Sequence, residues 1–504
     1  MPRTQRGSGD RDSAVSVVAT PGQPGDPART GPMRAPLYAA QQDRVPMPRG
    51  RRRTELAMLV FAVAVVLFAY ASVGLSMTGR IPAGILGYGL AFALLMLLAH
   101  LAIRWLAPWA DPLMLPLAAL LNGLGIVMIY RLQQSGRDGN AGRVISTMST
   151  SSTVFQVIWS TVGVAAFIAV LALVREPRLL QRYTYTFGVI GLVLLAIPAV
   201  PGIGSEVNGA KVWISVGGLS LQPGEFAKLA LAVFFAGYLV AKRDVLSLAG
   251  RRFLGIDLPR ARDLGPVLIA WGASLLILIF ETDIGTSALF FGMFLVMLYV
   301  ATQRMSWLLI GGLLFVSGAY LASKLFAHVG ERVDIWLHPF AAQNIYHSSY
   351  QLVQGLYGMG YGGVLGTGLG NGQPYWTPLV QSDFIFTAFG EELGLTGLMA
   401  ILLIYGLIVQ RGLRAAVAVR DPFSKLLAAG LSFVLALQVF VIVGGVTRLI
   451  PLTGITTPFL SQGGSSLVAS WMLIALLMRI SDTARRPAPQ PIQEEGMTQV
   501  VRGG

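Results

Sequence analysis

Residues 49–76 read RGRRRTELAMLVFAVAVVLFAYASVGLS, an arginine cluster followed from Leu56 to Ser76 by a run with no charged residue. As a helix at 1.5 Å per residue, that run is about 30 Å long, the thickness of a bilayer's hydrocarbon core. It starts too far from the N-terminus for a signal peptide, whose apolar stretch falls within the first thirty residues or so. It therefore reads as an uncleaved first span, with the arginines before it held on the inner side.

Working outward, the sequence holds eleven more runs of this kind, at about 84–104, 112–130, 154–174, 184–201, 223–241, 264–280, 284–302, 306–326, 384–410, 425–447 and 464–480. They are apolar all round rather than alternating, which excludes a membrane β-barrel. The breaks at Glu281–Asp283 and around Arg304 are short enough to demand tight helical hairpins. An all-α integral membrane protein of about twelve transmembrane helices is the resulting fold class.

Composition agrees. Of 504 residues, 54% are hydrophobic and 12% charged, about half the charge of an average soluble domain. Cysteine is absent, so disulfides, thiolate metal sites and a thiol nucleophile are excluded. With the N-terminus inside, roughly 29 of the 38 basic residues fall on the cytoplasmic side. The net charge of +14 is thus a topology signal, and no nucleic-acid partner is expected. Three residues between the third and fourth spans, Arg131, Arg137 and Arg143, fall outside against this trend.

Residues 1–53 and 482–504 are poor in apolar clusters and read as disordered cytoplasmic tails. Residues 54–110 hold the first two spans. Residues 111–481 hold the rest, including a segment at 327–382 that this topology places outside the membrane. That segment is long, and its Trp336, Phe340, Tyr346, Tyr350, Tyr357, Tyr361, Tyr375 and Trp376 argue for a folded cap rather than a flexible loop.

Ionisable groups in or beside the spans are candidates for function because each is costly in hydrocarbon. Glu225 and Lys228, three residues apart, share a helix face and can pair. They form either a packing ion pair or the charged floor of a polar cavity. Asp283 and Asp383 each precede a span and suit either helix capping or chemistry. Glu391 and Glu392 fall about two turns into the tenth span, so at least one must face protein or water. Outer-side cations are few (Lys211, Arg332 and Arg448), and serve either as solvated loop charges or as a cluster for an anionic lipid head. The glycine run 362–372 lacks the phosphate-loop pattern, and the spacing of His328, His338 and His347 fits no metal site. Residue chemistry alone leaves a polyprenyl-phosphate enzyme and a transporter equally open.

Four ordered blocks resemble the SEDS family (shape, elongation, division and sporulation), which includes RodA and FtsW. They are GAKVWISVGGLSLQPGEFAKLA (209–230), ETDIGTS (281–287), YQLVQGLYGMGYGGVLGTGLGNG with SDFIFTAFGEELGLTG (350–372 and 382–397), and PLTGITTPFLSQGGSSL (451–467). Gly224, Glu281, Thr282, Gly355 and Ser382 depart from the family pattern, as does Thr377-Pro378-Leu379 where the family carries Leu-Pro-Glu. The arginine-rich inner loop and VTRLIPLTG look more like the RodA branch, of the actinobacterial type. The family has ten spans, so residues 54–110 look like an added pair of helices.

The resemblance implies a peptidoglycan glycosyltransferase in the bacterial cytoplasmic membrane that polymerises lipid II outside the cell. Both termini would be cytoplasmic, and a class B penicillin-binding protein would be the partner. It implies Asp383 as catalytic base. Lys211, Trp213, Glu225, Lys228, Asp283, Gln351, Gln354, Arg448, Ser465 and Ser466 would bind substrate, with Lys211 and Arg448 as phosphate cations. No resident cofactor is assigned; a divalent cation (Mg or Mn) at the diphosphate is left open, with no ligand set. A lipid II flippase and an FtsW-type division polymerase are the competing readings.

Overall fold

A computed structural model of the chain describes residues 49–137, 152–200, 202–207, 210–216, 219–246, 249–253, 256–259, six positions between 265 and 276, and 283–487. The helices are α1 (Arg49–Thr78), α2 (Ile85–Leu106), α3 (Met114–Arg137), α4 (Ser152–Leu173), α5 (Thr184–Ala196), α6 (Pro223–Leu246), α7 (Ile284–Thr302), α8 (Met305–Leu325), α9 (Ala327–Leu337), α10 (Tyr350–Gly362), α11 (Ile385–Ala418), α12 (Pro422–Val446) and α13 (Gly464–Arg485). Among the described residues, eleven helices are long and apolar enough to cross a membrane, all of these except α9 and α10. The chain is a multi-pass membrane protein. The expected span at 264–280 lies largely outside the described residues; Gly265, Leu268, Ile269, Gly272, Ala273 and Leu276 within it are helical.

Burial separates the bundle's centre from its lipid-facing rim. The most apolar stretch of α13 is 89% buried and that of α3 78%, against 22% for the span that includes α5 and 28% for α8. At the centre Trp471 of α13 sits edge-on between Phe167 and Phe459, with ring centroids 5.7 and 5.5 Å away. α4 can approach Trp471 because residue 163 is glycine: a Cβ there would lie 2.5 Å from the indole.

The added helices pack on this core, α1 against α3 and α2 against α4. The first helix begins at Arg49, inside the segment expected to be a tail. The reason is local: Arg52 pairs with Glu55 and donates to the carbonyls of Ala107 and Pro108 at 2.9 and 2.7 Å. Glu55 also lies 2.9 Å from His100 Nδ1. The C-terminal boundary shifts likewise. α13 runs to Arg485 because Asp482 accepts the Trp109 amide at 2.7 Å and Arg485 pairs with Asp111.

The loop read at 202–222 folds into an antiparallel sheet, β1 (Gly204–Val207), β2 (Ala210–Val216) and β3 (Leu219–Leu221). The segment after α6 forms a hairpin, β4 (Ala249–Phe253) with β5 (Ile256–Pro259). Between α7 and α8 the hairpin expected at Arg304 is present, with Gln303 in the left-handed conformation at φ 57°.

The largest difference lies in the tenth span. Gly394 breaks α11 with φ 67° and ψ −171°, so residues 385–393 form a separate helix of about two and a half turns before the longer one. A side chain at 394 would strike the amide of Gly366 at 2.3 Å. Glu391 and Glu392 lie about two turns into α11, as expected, and both are buried just before this break.

Candidate functional site

Asp383 sits where the 363–384 segment turns into α11, and its side chain is partly exposed. Neither Ser382 nor Asp383 caps the helix, whose N-cap is Phe384. Instead the Ser382 hydroxyl donates to Asp383 Oδ1 at 2.8 Å. A second segment, 456–463, grips the backbone on the N-terminal side: the Ser461 hydroxyl donates to the Ser382 carbonyl, and the Gln462 amide to the Gln381 carbonyl at 2.8 Å. The Asp383 backbone is thus pinned by a strand of chain some eighty residues later. Burial pushes its carboxyl above the usual carboxylate range, against the opposing pull of the Ser382 hydroxyl and the charge of Arg332.

Arg332 is the cation these acids share. It stands on α9, donates from Nη1 to the Leu452 carbonyl at 3.0 Å, and lies against Gly454. Its charge acts on Asp383 and on Asp283 alike. Asp283 caps α7, accepting the Thr286 amide at 3.0 Å and the Thr286 hydroxyl at 2.6 Å. Its carboxyl too is pushed up by burial, with the Thr286 hydrogen bonds and Arg332 opposing. The capping role read for Asp283 is present, and it leaves the acid facing Arg332.

Three helix N-termini meet at Asp283, which caps one of them. The Gln222 amide, just before α6, donates to Ser465 Oγ in the first turn of α13 at 2.9 Å. Gly224 of α6 lies against Thr286 of α7: a Cβ there would stand 4.0 Å from its methyl. Such ends carry partial positive charge. The buried hydroxyls of Thr456, Thr457 and Ser466 have no protein hydrogen-bond partner.

One turn into α6, Lys228 pairs with Glu225 and donates to Gln438 Oε1 of α12 at 2.9 Å. Gln438 in turn donates to the Thr456 carbonyl at 3.0 Å. The ion pair thus ties α6 and α12 to the loop that grips Asp383. Gln351 of α10 donates to the Pro378 carbonyl at 2.9 Å, while Gln354 lines a cleft in the cap.

The remaining sequence candidates fall further out. Lys211 lies on β2, with its side chain outside the described residues, and Trp213 on the same strand pairs with Ser205 and is partly buried. Arg448 is exposed and fastened to the end of α9, donating to the carbonyls of Trp336 and Leu337 at 2.9 and 3.0 Å. Arg131, expected in an outer loop, lies within α3, buried, bonded to Glu392 and to the Gly372 carbonyl. That pairing compensates the charge of a buried arginine. Among the described residues no cluster of three or more His, Asp or Glu is placed to hold a metal ion.

The family profile described as cell cycle protein, covering FtsW, RodA and SpoVE, matches residues 111–486. The peptidoglycan glycosyltransferase RodA of Mycobacterium tuberculosis is 51% identical over 88% of this chain and 92% of its own length. The stage V sporulation protein E of Bacillus subtilis is 32% identical over 74% of this chain and 98% of its own. Among solved structures, the rod shape determining protein RodA of Thermus thermophilus superposes with a TM-score of 0.52 at 23% identity, covering 76% of this chain and all of that one.

Proposed function

The chain belongs to the FtsW, RodA and SpoVE family of cell cycle proteins, and from that premise we propose that it is a peptidoglycan glycosyltransferase of the RodA kind, serving cell elongation and shape. Its substrate is lipid II, polymerised at the outer face of the cytoplasmic membrane, with both termini in the cytoplasm. A class B penicillin-binding protein that cross-links the product is its partner. The reading of a lipid II flippase and that of a division polymerase are less well supported, since relatives at half identity carry the RodA glycosyltransferase name.

The observation that carries the proposal is a partly exposed carboxylate, Asp383, on a backbone gripped by the 456–463 segment and sharing the charge of Arg332 with Asp283 at the start of α7. The reaction is one displacement. The acceptor's sugar 4-hydroxyl attacks the anomeric carbon of the donor, its proton passes to an Asp383 carboxylate oxygen, and the bond to the diphosphate breaks with the electron pair leaving on oxygen. A carboxyl held above its usual range is a better base near neutral pH than an ordinary aspartate. The departing undecaprenyl diphosphate gathers negative charge, which Arg332 and the positive ends of α6 and α13 would meet. Ser465, Ser466 and Asp283 shape that pocket, and the Glu225–Lys228 pair holds its wall. Lys211, Trp213 and Arg448 are proposed for the approach of the headgroup. A divalent cation, Mg or Mn, would neutralise the diphosphate where one is bound; no step above runs through it.

Purified protein in detergent has no two compartments between which to transport. Glycan strands formed there from labelled lipid II support the enzyme reading; lipid II left unpolymerised would contradict it.

A further inference from the structure

The cap holds a cleft that the displacement chemistry does not use. It has a volume of about 290 Å³ and is lined by Gln354, Tyr357 and Tyr361 of α10, Gln373 and Trp376 of the following loop, and Glu391. That volume sits at the lower end of small-molecule sites, about 300 Å³. The three aromatic rings keep much of their surface open, Trp376 at 50% and Tyr361 at 75%, while Glu391 at the bottom is 5% exposed.

Its construction is specific. α10 lies along the 385–393 helix on a face made of Gly355, Gly358 and Gly362, and any Cβ there would strike Phe384, Glu391 or the Gly390 carbonyl. The Gln373 amide donates to Glu391 Oε1 at 2.5 Å, and Trp376 Nε1 donates to Gln373 Oε1 at 2.9 Å, so floor and wall are joined. The combination is open aromatic faces above a buried carboxylate and amides. Flat apolar rings fit the C–H faces of pyranose sugars, and carboxylate and amide oxygens fit their hydroxyl rims.

Position gives the cleft a purpose. Glu391 follows Asp383 by eight residues of nearly continuous helix, which at 1.5 Å per residue separates them by about 12 Å. A short run of sugar rings spans that distance.

Building on the glycosyltransferase reading, we propose that this cleft is a saccharide subsite that holds the glycan strand beyond the sugar reacting at Asp383. Trp376 and Tyr361 are its platforms and Glu391 its hydroxyl acceptor.

The test is equilibrium binding of a radiolabelled β-1,4-linked N-acetylglucosamine tetramer to the full-length protein in detergent. Wild type should bind saturably. Trp376→Ala and Tyr361→Ala should each weaken binding by about tenfold, the scale of one lost aromatic contact. Both side chains are exposed, so the thermal midpoint should not move and a folding failure would be visible. Asp383→Asn should still bind the tetramer while losing polymerisation, which separates this proposal from the catalytic one. If the rings are only anchors at the bilayer interface, the two alanine variants bind as wild type does, and the proposal is overturned. It is overturned equally if wild type shows no saturable binding.

Discussion

Arg131 of α3 and Glu392 of α11 form an ion pair closed to solvent, Nε to Oε1 at 2.5 Å, across 261 residues of sequence. The Arg131 guanidinium also holds the Gly372 carbonyl, and Glu392 Oε2 accepts the Gly370 amide at 3.0 Å. The glycine-rich run 366–372 is thereby strapped to the base of the segment that carries Asp383. Removing one partner strands a buried charge, so Arg131→Met or Glu392→Gln alone should destabilise by about 3–5 kcal/mol. The double variant should lose less than the sum of the two. Thermal unfolding in detergent, run as a double-mutant cycle, reads this coupling.

Gly394 and Gly406 lie in the same helix and should respond differently to alanine. Gly394 has φ 67° and a Cβ there meets backbone at 2.3 Å, whereas nothing lies within 4 Å of a Cβ at Gly406. Gly394→Ala should destabilise strongly, by about 2 kcal/mol or more through strain and clash. Gly406→Ala should be neutral or slightly stabilising. Thermal midpoints of the two variants decide the matter.

Asp383 also sets a trade between stability and chemistry. Its carboxyl is raised in the folded state by burial, so the folded chain binds its proton more tightly than the unfolded chain does. The stability it contributes is present below its unfolded pKa and is lost as pH rises through the folded value. Asp383→Asn should therefore unfold at a higher temperature than wild type at neutral pH. The difference should vanish as pH falls towards about 4, where the aspartate is protonated in both states.

Arg332 pulls the same carboxyl the other way. With Arg332→Gln the Asp383 pKa should rise further, and the acidic limb of the rate profile for lipid II polymerisation should move to higher pH. The maximal rate should fall as well, because a cation facing the diphosphate is gone. A profile that keeps its limb in place would show that Arg332 does not act on the base.

The elements legible in the sequence were those set by local pattern. Apolar runs of the right length locate the spans, Asp283 before Ile-Gly-Thr shows its capping role, and the three-residue spacing of Glu225 and Lys228 shows their pairing. What escaped depends on contacts distant in sequence. Arg131 resembles a loop arginine until Glu392 is brought to it, and Gly394 looks like any glycine in an apolar helix until Val364 and Gly366 crowd it. Arg332 and Arg448 were alike as outer cations. Only the fold turns the first towards two acids and fastens the second to carbonyls at the end of α9. An arginine that breaks the expected inside bias of basic residues was the one signal in the sequence for a carboxylate partner.

The role of the Asp383 carboxylate is tested most directly by following polymerisation of labelled lipid II by purified wild type and Asp383→Asn at matched amounts of folded protein. Loss of a general base lowers a rate by roughly 10²–10⁴-fold, and the account predicts a loss of that size with lipid II still bound. Strand synthesis by the asparagine variant at near the wild-type rate would contradict it.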